Sequence, residues 1–173
     1  MITNEASIMA TSDRVLAQLA RRVGAHLLAR GQTVATAESW TGGWIAKMLT
    51  DVAGSSAWFG MGFVCYSNEA KRSMLSVSAQ ALRTQGAVSE PVVTALAKGA
   101  LKASGASLAV AVSGIAGPSG GSKEKPVGTV WLAFACKRGS RVVVSTQRHQ
   151  FKGSRESIRR ETTAAALRGV LRR

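Results

Sequence analysis

Ser39 stands in the run ATAESWTGG, directly before Thr41, Gly42 and Gly43. Here an apolar strand-like stretch gives way to one with helical spacing. A serine at such a junction shows its hydroxyl at a sheet edge, beside free helix N–H donors and the positive end of a helix dipole. Those donors would hold an oxyanion, so the position suits the nucleophile of an acyl transfer. It equally suits an ordinary helix cap from Ser39 or Thr41. Gly42 and Gly43 lean toward the first use, because they let backbone approach a ligand closely at a cost in helix stability.

A serine hydroxyl attacks only when a base takes its proton. The two histidines, His26 and His149, fall in a helical and a strand-like run away from any glycine-bearing turn, and read as scaffold residues. Lys71 is the better base, following the end of the second strand-like run, FVCYS, by about one helical turn. It must be neutral to serve, so burial or nearby cations must bring its pKa from about 10.4 to about 7. A surface lysine on a short helix is the plain alternative. Tyr66, the only tyrosine, ends the same run. Its phenol could pass a proton, hold the lysine, or sit satisfied in a core.

A third turn, SGIAGPSGG, sets Gly114, Gly117, Gly120 and Gly121 just after a strand, followed by Ser122, Lys123 and Lys125. Such a loop can turn several N–H groups on a phosphate, but its spacing matches neither the Walker nor the dinucleotide pattern, which argues against nucleoside triphosphate chemistry. Arg155 opposes the dipole at the start of the last helix, so an anionic ligand or a carboxylate partner would account for it. There is no HExxH, no CxxC and no cluster of acids, so neither a metal nor another cofactor is implied.

The elements that must place these residues can be read from the same chain. Val15, Leu16, Leu19, Val23 and Leu27 recur at helical spacing and predict a helix over 12–30, stopped by Gly31. QTVATAES reads as a strand, GWIAKMLTDV as a helix, WFGMGFVCYS as a strand, and a short helix capped by Ser67 or Asn68 follows. Ser89 and Pro91 open a long helix that Gly105 ends, and SLAVAVSG is a strand entering the glycine loop. TVWLAFACK and RVVVSTQRHQF predict a hairpin about Gly139, and a last helix starts near Ser154. Early alternation with a late hairpin makes this an α/β protein with a mixed sheet and helices on both faces. Ligands in such sheets collect beyond the carboxyl ends of strands, where ESWTGG, CYSNEAK and SGIAGPSGG all fall.

The 173 residues suit a single domain over 12–173 with a flexible tail at 1–11. Cys65 and Cys136 sit in apolar runs, which suits a reducing cytoplasm, and no stretch has the roughly 18 apolar residues of a membrane span. The 23 Lys and Arg against 9 Asp and Glu give a net charge of +14. That field attracts a phosphorylated metabolite, a nucleic acid or an acidic surface, and charge alone does not choose among them. The basic C-terminal run from Lys152 reads as a solvated helix face.

With ATAESWTGG, FVCYSNEAK, GAVSEPVV, SGIAGPSGG, KPVGTVWLA and FKGSRESIRR in this order, the chain resembles the C-terminal domain family of the competence-damage-inducible protein CinA. The resemblance runs from about Ala17 to Leu171. It implies a three-layer α/β/α sandwich and a nicotinamide-nucleotide amidohydrolase that turns nicotinamide mononucleotide into nicotinate mononucleotide and ammonia. In that reading Ser39 is the nucleophile, Lys71 the base and Tyr66 a partner in proton transfer. Thr41, Gly42 and Gly43 would line the oxyanion site, and Gly114, Gly117, Gly120, Gly121 and Arg155 the nucleotide pocket. The expected enzyme is a cytoplasmic homo-oligomer that stands alone, without the larger N-terminal domain often fused to this family. The alternative is a non-catalytic, DNA-associated accessory protein, against which no run interleaves aromatic with basic residues. The chain departs from the family pattern at Trp40, where cysteine is common, and at Ala53, Met61, Ser113 and Ser119. Trp40, next to the nucleophile, would narrow the pocket or sit at a subunit contact.

Overall fold

The computed structural model describes residues 11–173, so the expected tail lies outside the described residues except for Thr11. Thr11 is buried, and its N–H and hydroxyl both donate to the Glu161 carboxylate. The elements run α1 (Asp13–Leu28), β1 (Val34–Glu38), α2 (Trp44–Thr50), β2 (Phe59–Val64), α3 (Asn68–Leu75), α4 (Ala79–Gln85), α5 (Glu90–Ser104), β3 (Leu108–Gly114), β4 (Thr129–Arg138), β5 (Arg141–Gln150) and α6 (Arg155–Val170). Serine hydroxyls start several helices: Ser12 accepts the Val15 N–H, Ser67 the Ala70 N–H, Ser78 the Ala81 N–H and Ser154 the Ser157 N–H. No helix among the described residues is long and apolar enough to cross a membrane.

The strands form one mixed sheet in the order β2-β1-β3-β4-β5. β1 lies parallel to β2 and β3, whereas β4 runs antiparallel to β3 and β5. Side chains of a strand alternate between faces. In β3 and β4 the alternation is also one of size. Leu108, Val110, Val112, Val130, Leu132 and Phe134 join the core shared with α1, α2 and α6. Ala109, Ala111, Ala133 and Ala135 join the core shared with α3, α4 and α5. The chain is therefore the α/β/α sandwich expected, with a thick apolar layer on one face and small residues on the other that admit α5 closely. Each fully buried Leu or Ile contributes about 2 kcal/mol. Gly99 carries the close approach further, since a Cβ there would overlap the backbone of Leu75 at the end of α3. The α3–α5 contact sets the height of Lys71 over the sheet.

Three local differences from the sequence reading matter. β2 begins at Phe59, because Trp58 ends a 3-10 turn (Ser55–Ala57) and buries its ring against Gly24 of α1. β2 ends at Val64, which leaves Cys65, Tyr66 and Ser67 as an irregular link. α4 was not expected from the pattern, and Leu82 is its one buried residue, too little to show helical spacing.

Candidate active site

β1 stops at Glu38, and the alternation of faces then separates three consecutive side chains. Glu38 and Trp40 turn toward α2 and α6, while Ser39 turns toward α3. The turn closes by the Gly42 N–H donating to the Ser39 carbonyl at 3.0 Å. Gly42 and Gly43 have φ of 65° and 89°, a backbone that side-chain-bearing residues rarely adopt, so both glycines are required by the turn itself. Gly43 is the N-cap of α2 and offers no side chain to its free N–H groups.

The parallel ladder supplies the partner. Glu38 pairs with Val64, and the Cys65 N–H adds one more bond, to the Glu38 carbonyl at 2.7 Å. That register lays the Cys65–Ser67 link beside Ser39. Helical side chains lean toward their N-terminus, so Lys71, one turn into α3, reaches back over this link. Its Nζ donates to the carbonyls of Cys65 and Tyr66, both at 2.9 Å, more loosely to that of Ser67 at 3.4 Å, and lies 3.3 Å from Ser39 Oγ. Lys71 is 1% exposed and Ser39 is also buried. Burial lowers the Lys71 pKa, against an opposing pull from the neighbouring Cys65 thiol. The positive end of α3 acts in the same direction as burial.

Tyr66 meets the lysine differently from the way expected, through its carbonyl, and its side chain is 65% exposed. Thr41 is buried, donates its hydroxyl to Glu38 and accepts at its carbonyl from Arg159 Nη2, both at 2.8 Å. The Gly42 N–H is consumed within the turn, so of the N–H groups about Ser39 those of Trp40 and Thr41 donate to no acceptor among the described residues. The indole of Trp40 is 6% exposed and sits in the core against Gly114, whose missing Cβ would stand 2.9 Å from Trp40 Nε1. Its ring belongs to the core cluster between the sheet and α1, α2 and α6.

The glycine loop owes most of its glycines to its own packing. A Cβ on Gly117 would stand 2.5 Å from Val127 Cγ1, and one on Gly121 2.7 Å from the Val127 N. Gly120 has φ of 89°, and a Cβ there would make only an ordinary contact with Ile115 Cγ2 at 3.9 Å, so its glycine answers to the backbone. None of the ion pairs among the described residues includes Arg155. Its Nη1 donates at 2.9 Å to the Gly117 carbonyl and braces the loop from α6. Arg159, one turn further along α6, braces the Ser39 turn in the same way and lies over the Trp44 ring at 5.1 Å. His149 stacks on Phe151 and His26 lies in α1, both away from Ser39. Among the described residues no three His, Cys, Asp or Glu side chains gather as a metal site would require.

Two residues of this region escaped the sequence reading. Glu38 had a signal, a carboxylate closing an otherwise uncharged strand immediately before the candidate nucleophile. Arg159 had a weaker one, its i+4 spacing from Arg155.

The sequence model of the CinA C-terminal domain matches residues 16–173. The chain belongs to the CinA C-terminal domain family. Among its relatives in the CinA family, the nicotinamide-nucleotide amidohydrolase PncC of Escherichia coli K12 is 60% identical over 156 residues, covering 90% of this chain and 93% of that protein. The nicotinamide-nucleotide amidohydrolase PncC of Enterobacter agglomerans is 54% identical over 161 residues, covering 93% and 96%. The crystal structure of the competence/damage-inducible protein CihA from Agrobacterium tumefaciens superposes with a TM-score of 0.84 at 46% identity, over 91% of this chain and 96% of that one. The fold is thus shared with that solved structure.

Proposed function

We propose that this protein is a nicotinamide-nucleotide amidohydrolase that converts nicotinamide mononucleotide to nicotinate mononucleotide and ammonia, with Ser39 as nucleophile and Lys71 as base. The observation that carries the reading is the Lys71 Nζ to Ser39 Oγ approach at 3.3 Å in a buried setting, in a chain whose 54–60% identical relatives bear that enzyme name.

The hydrogen-bond geometry leaves room for a neutral amine once the loose contact to the Ser67 carbonyl at 3.4 Å is given up. A neutral lysine has two N–H bonds and one lone pair. The carbonyls of Cys65 and Tyr66 take the two N–H bonds, and the lone pair is left for the Ser39 hydroxyl proton. Ser39 Oγ then attacks the carboxamide carbon as Lys71 becomes an ammonium. The Trp40 and Thr41 N–H groups are the donors left for the oxyanion, a contribution of about 3 kcal/mol for each well-placed donor. The ammonium returns its proton to the departing nitrogen, directly or through the Tyr66 phenol, and ammonia leaves an acyl ester on Ser39. Water attacks that ester with Lys71 again taking the proton, and Ser39 is restored.

The N–H groups of the glycine loop suit the nucleotide phosphate, with Arg155 holding the loop in shape. The free thiols of Cys65 and Cys136 suit a reducing cytoplasm, and assembly as a homo-oligomer belongs to the same reading.

Ammonia release from nicotinamide mononucleotide, nicotinamide riboside and free nicotinamide tests it, beside a salt titration of oligonucleotide binding. The mononucleotide should be cleaved far faster than the other two, since remote binding positions the reacting carbonyl. The net charge of +14 favours a second reading, a DNA-associated accessory protein. Slow, equal deamidation of all three compounds, with tight binding of DNA that falls steeply with salt, would select it.

A further inference from the structure

Glu38 is 1% exposed, and none of the ion pairs among the described residues includes it. Its carboxylate accepts three hydrogen bonds instead. Oε2 receives the Thr41 hydroxyl at 2.8 Å and the Ile45 N–H at 3.0 Å, and Oε1 receives the Ala46 N–H at 2.8 Å. Burial raises its pKa, and these donors pull the other way. Burying an unpaired carboxylate is costly, so a fold keeps one only where its bonds achieve something a cheaper residue would not.

Capping α2 alone has a cheaper solution, a serine or aspartate at the N-cap. That solution is closed here, because the N-cap Gly43 needs a positive φ. The cap comes instead from the end of β1, seven and eight residues upstream of the two N–H groups it receives. A single carboxylate thereby holds the strand end, the middle of the turn at Thr41 and the first turn of α2. Ser39 lies inside the segment so tied. We infer that Glu38 is a positioning residue, which locks the turn so that Ser39 Oγ stays beside Lys71 Nζ and the Trp40 and Thr41 N–H groups keep their aim. This rests on the reading of Ser39 as nucleophile.

The test compares Glu38→Gln, Thr41→Val, Thr41→Ser and Ser39→Ala in the whole protein. It follows kcat and KM for ammonia release, thermal melting, and the rate at which a fluorophosphonate adds to Ser39, read by intact mass. Glutamine keeps the volume but turns an amide N–H toward one of the three donors. Glu38→Gln should lose about 10²-fold in kcat with KM within about threefold, because displacing the nucleophile by about 1 Å has that effect. Fluorophosphonate labelling should slow in parallel at temperatures well below melting. A residue that only capped the helix would lower the melting temperature and leave both rates of the folded protein unchanged. Thr41→Val should slow kcat and labelling, and Thr41→Ser, which keeps the hydroxyl, should restore both.

A folded Glu38→Gln protein with kcat within about twofold of the parent, beside an inactive Ser39→Ala, would overturn this inference and leave the proposed function standing. If Glu38→Gln does not fold, equal kcat in Thr41→Val and Thr41→Ser would overturn it. Full turnover by Ser39→Ala would remove the nucleophile reading and this inference with it.

Discussion

Lys71 Nζ lies 3.3 Å from Ser39 Oγ across 32 residues of sequence, held there by carbonyls of the Cys65–Ser67 link rather than by an acidic partner. Burial lowers the pKa of this lysine, and none of the ion pairs among the described residues includes it to oppose that.

Ser39→Ala should therefore lose turnover by about 10⁴-fold or more while melting normally, since the hydroxyl is not needed to close the turn. Lys71→Arg should fail nearly as badly as Lys71→Ala, because arginine keeps the charge but does not deprotonate. Ammonia release and circular dichroism check both, and substantial activity in the arginine variant would make Lys71 an electrostatic anchor instead of a base.

The pH dependence has a definite sign. Lys71 works when unprotonated, so kcat/KM rises as pH climbs through its pKa, and burial places that rise below the ordinary lysine value of 10.5. Between the two pKa values the unfolded chain binds more protons than the folded one, so stability also rises with pH across that window. A pH–rate profile, with melting curves compared against Lys71→Met, measures both. A rise at or above the ordinary lysine range would contradict the assignment.

Trp40→Ala should destabilise the fold by about 3–5 kcal/mol, since it empties a core position whose ring fills the space left by Gly114. Denaturant unfolding gives the cost. A loss below about 1 kcal/mol would show that the ring belongs to the surface of a pocket and not to the core.

Gly169 of α6 packs on the far edge of the Phe134 ring of β4, and a Cβ added there would overlap the ring. Gly169→Ala should cost about 1–3 kcal/mol, and Phe134→Leu in the same chain should recover part of it. Additive losses in the double variant would show that the two sites do not share this contact.

Much of the frame was legible in the chain. The helical spacing of Leu16, Leu19, Val23 and Leu27, the apolar runs of β1 and β3, and the glycines after Ser39 are local signals, and local signals survive in a one-dimensional reading. They sufficed for a mixed sheet with helices on both faces, for a serine at a strand–helix junction and for a lysine one turn into α3. α4 was lost because a seven-residue helix with one buried side chain leaves no periodic trace.

What the tertiary structure decided was pairing. The β1–β2 register sets the Cys65 and Tyr66 carbonyls beside Ser39, and so turns a short-helix lysine into a buried one. Tyr66 gives that lysine its carbonyl rather than its phenol, because the link turns the backbone inward and leaves the ring exposed. The same alternation that aims Ser39 at Lys71 sends Glu38 and Trp40 to the opposite face, one into hydrogen bonds with α2 and the other into the core. Arg155 took the Gly117 carbonyl and Arg159 that of Thr41, contacts across the fold that no local pattern announces. The sequence determines which groups can do chemistry, since that is written in residue types. Which of them meet depends on strand register and helix docking, and these arise from contacts between residues tens of positions apart.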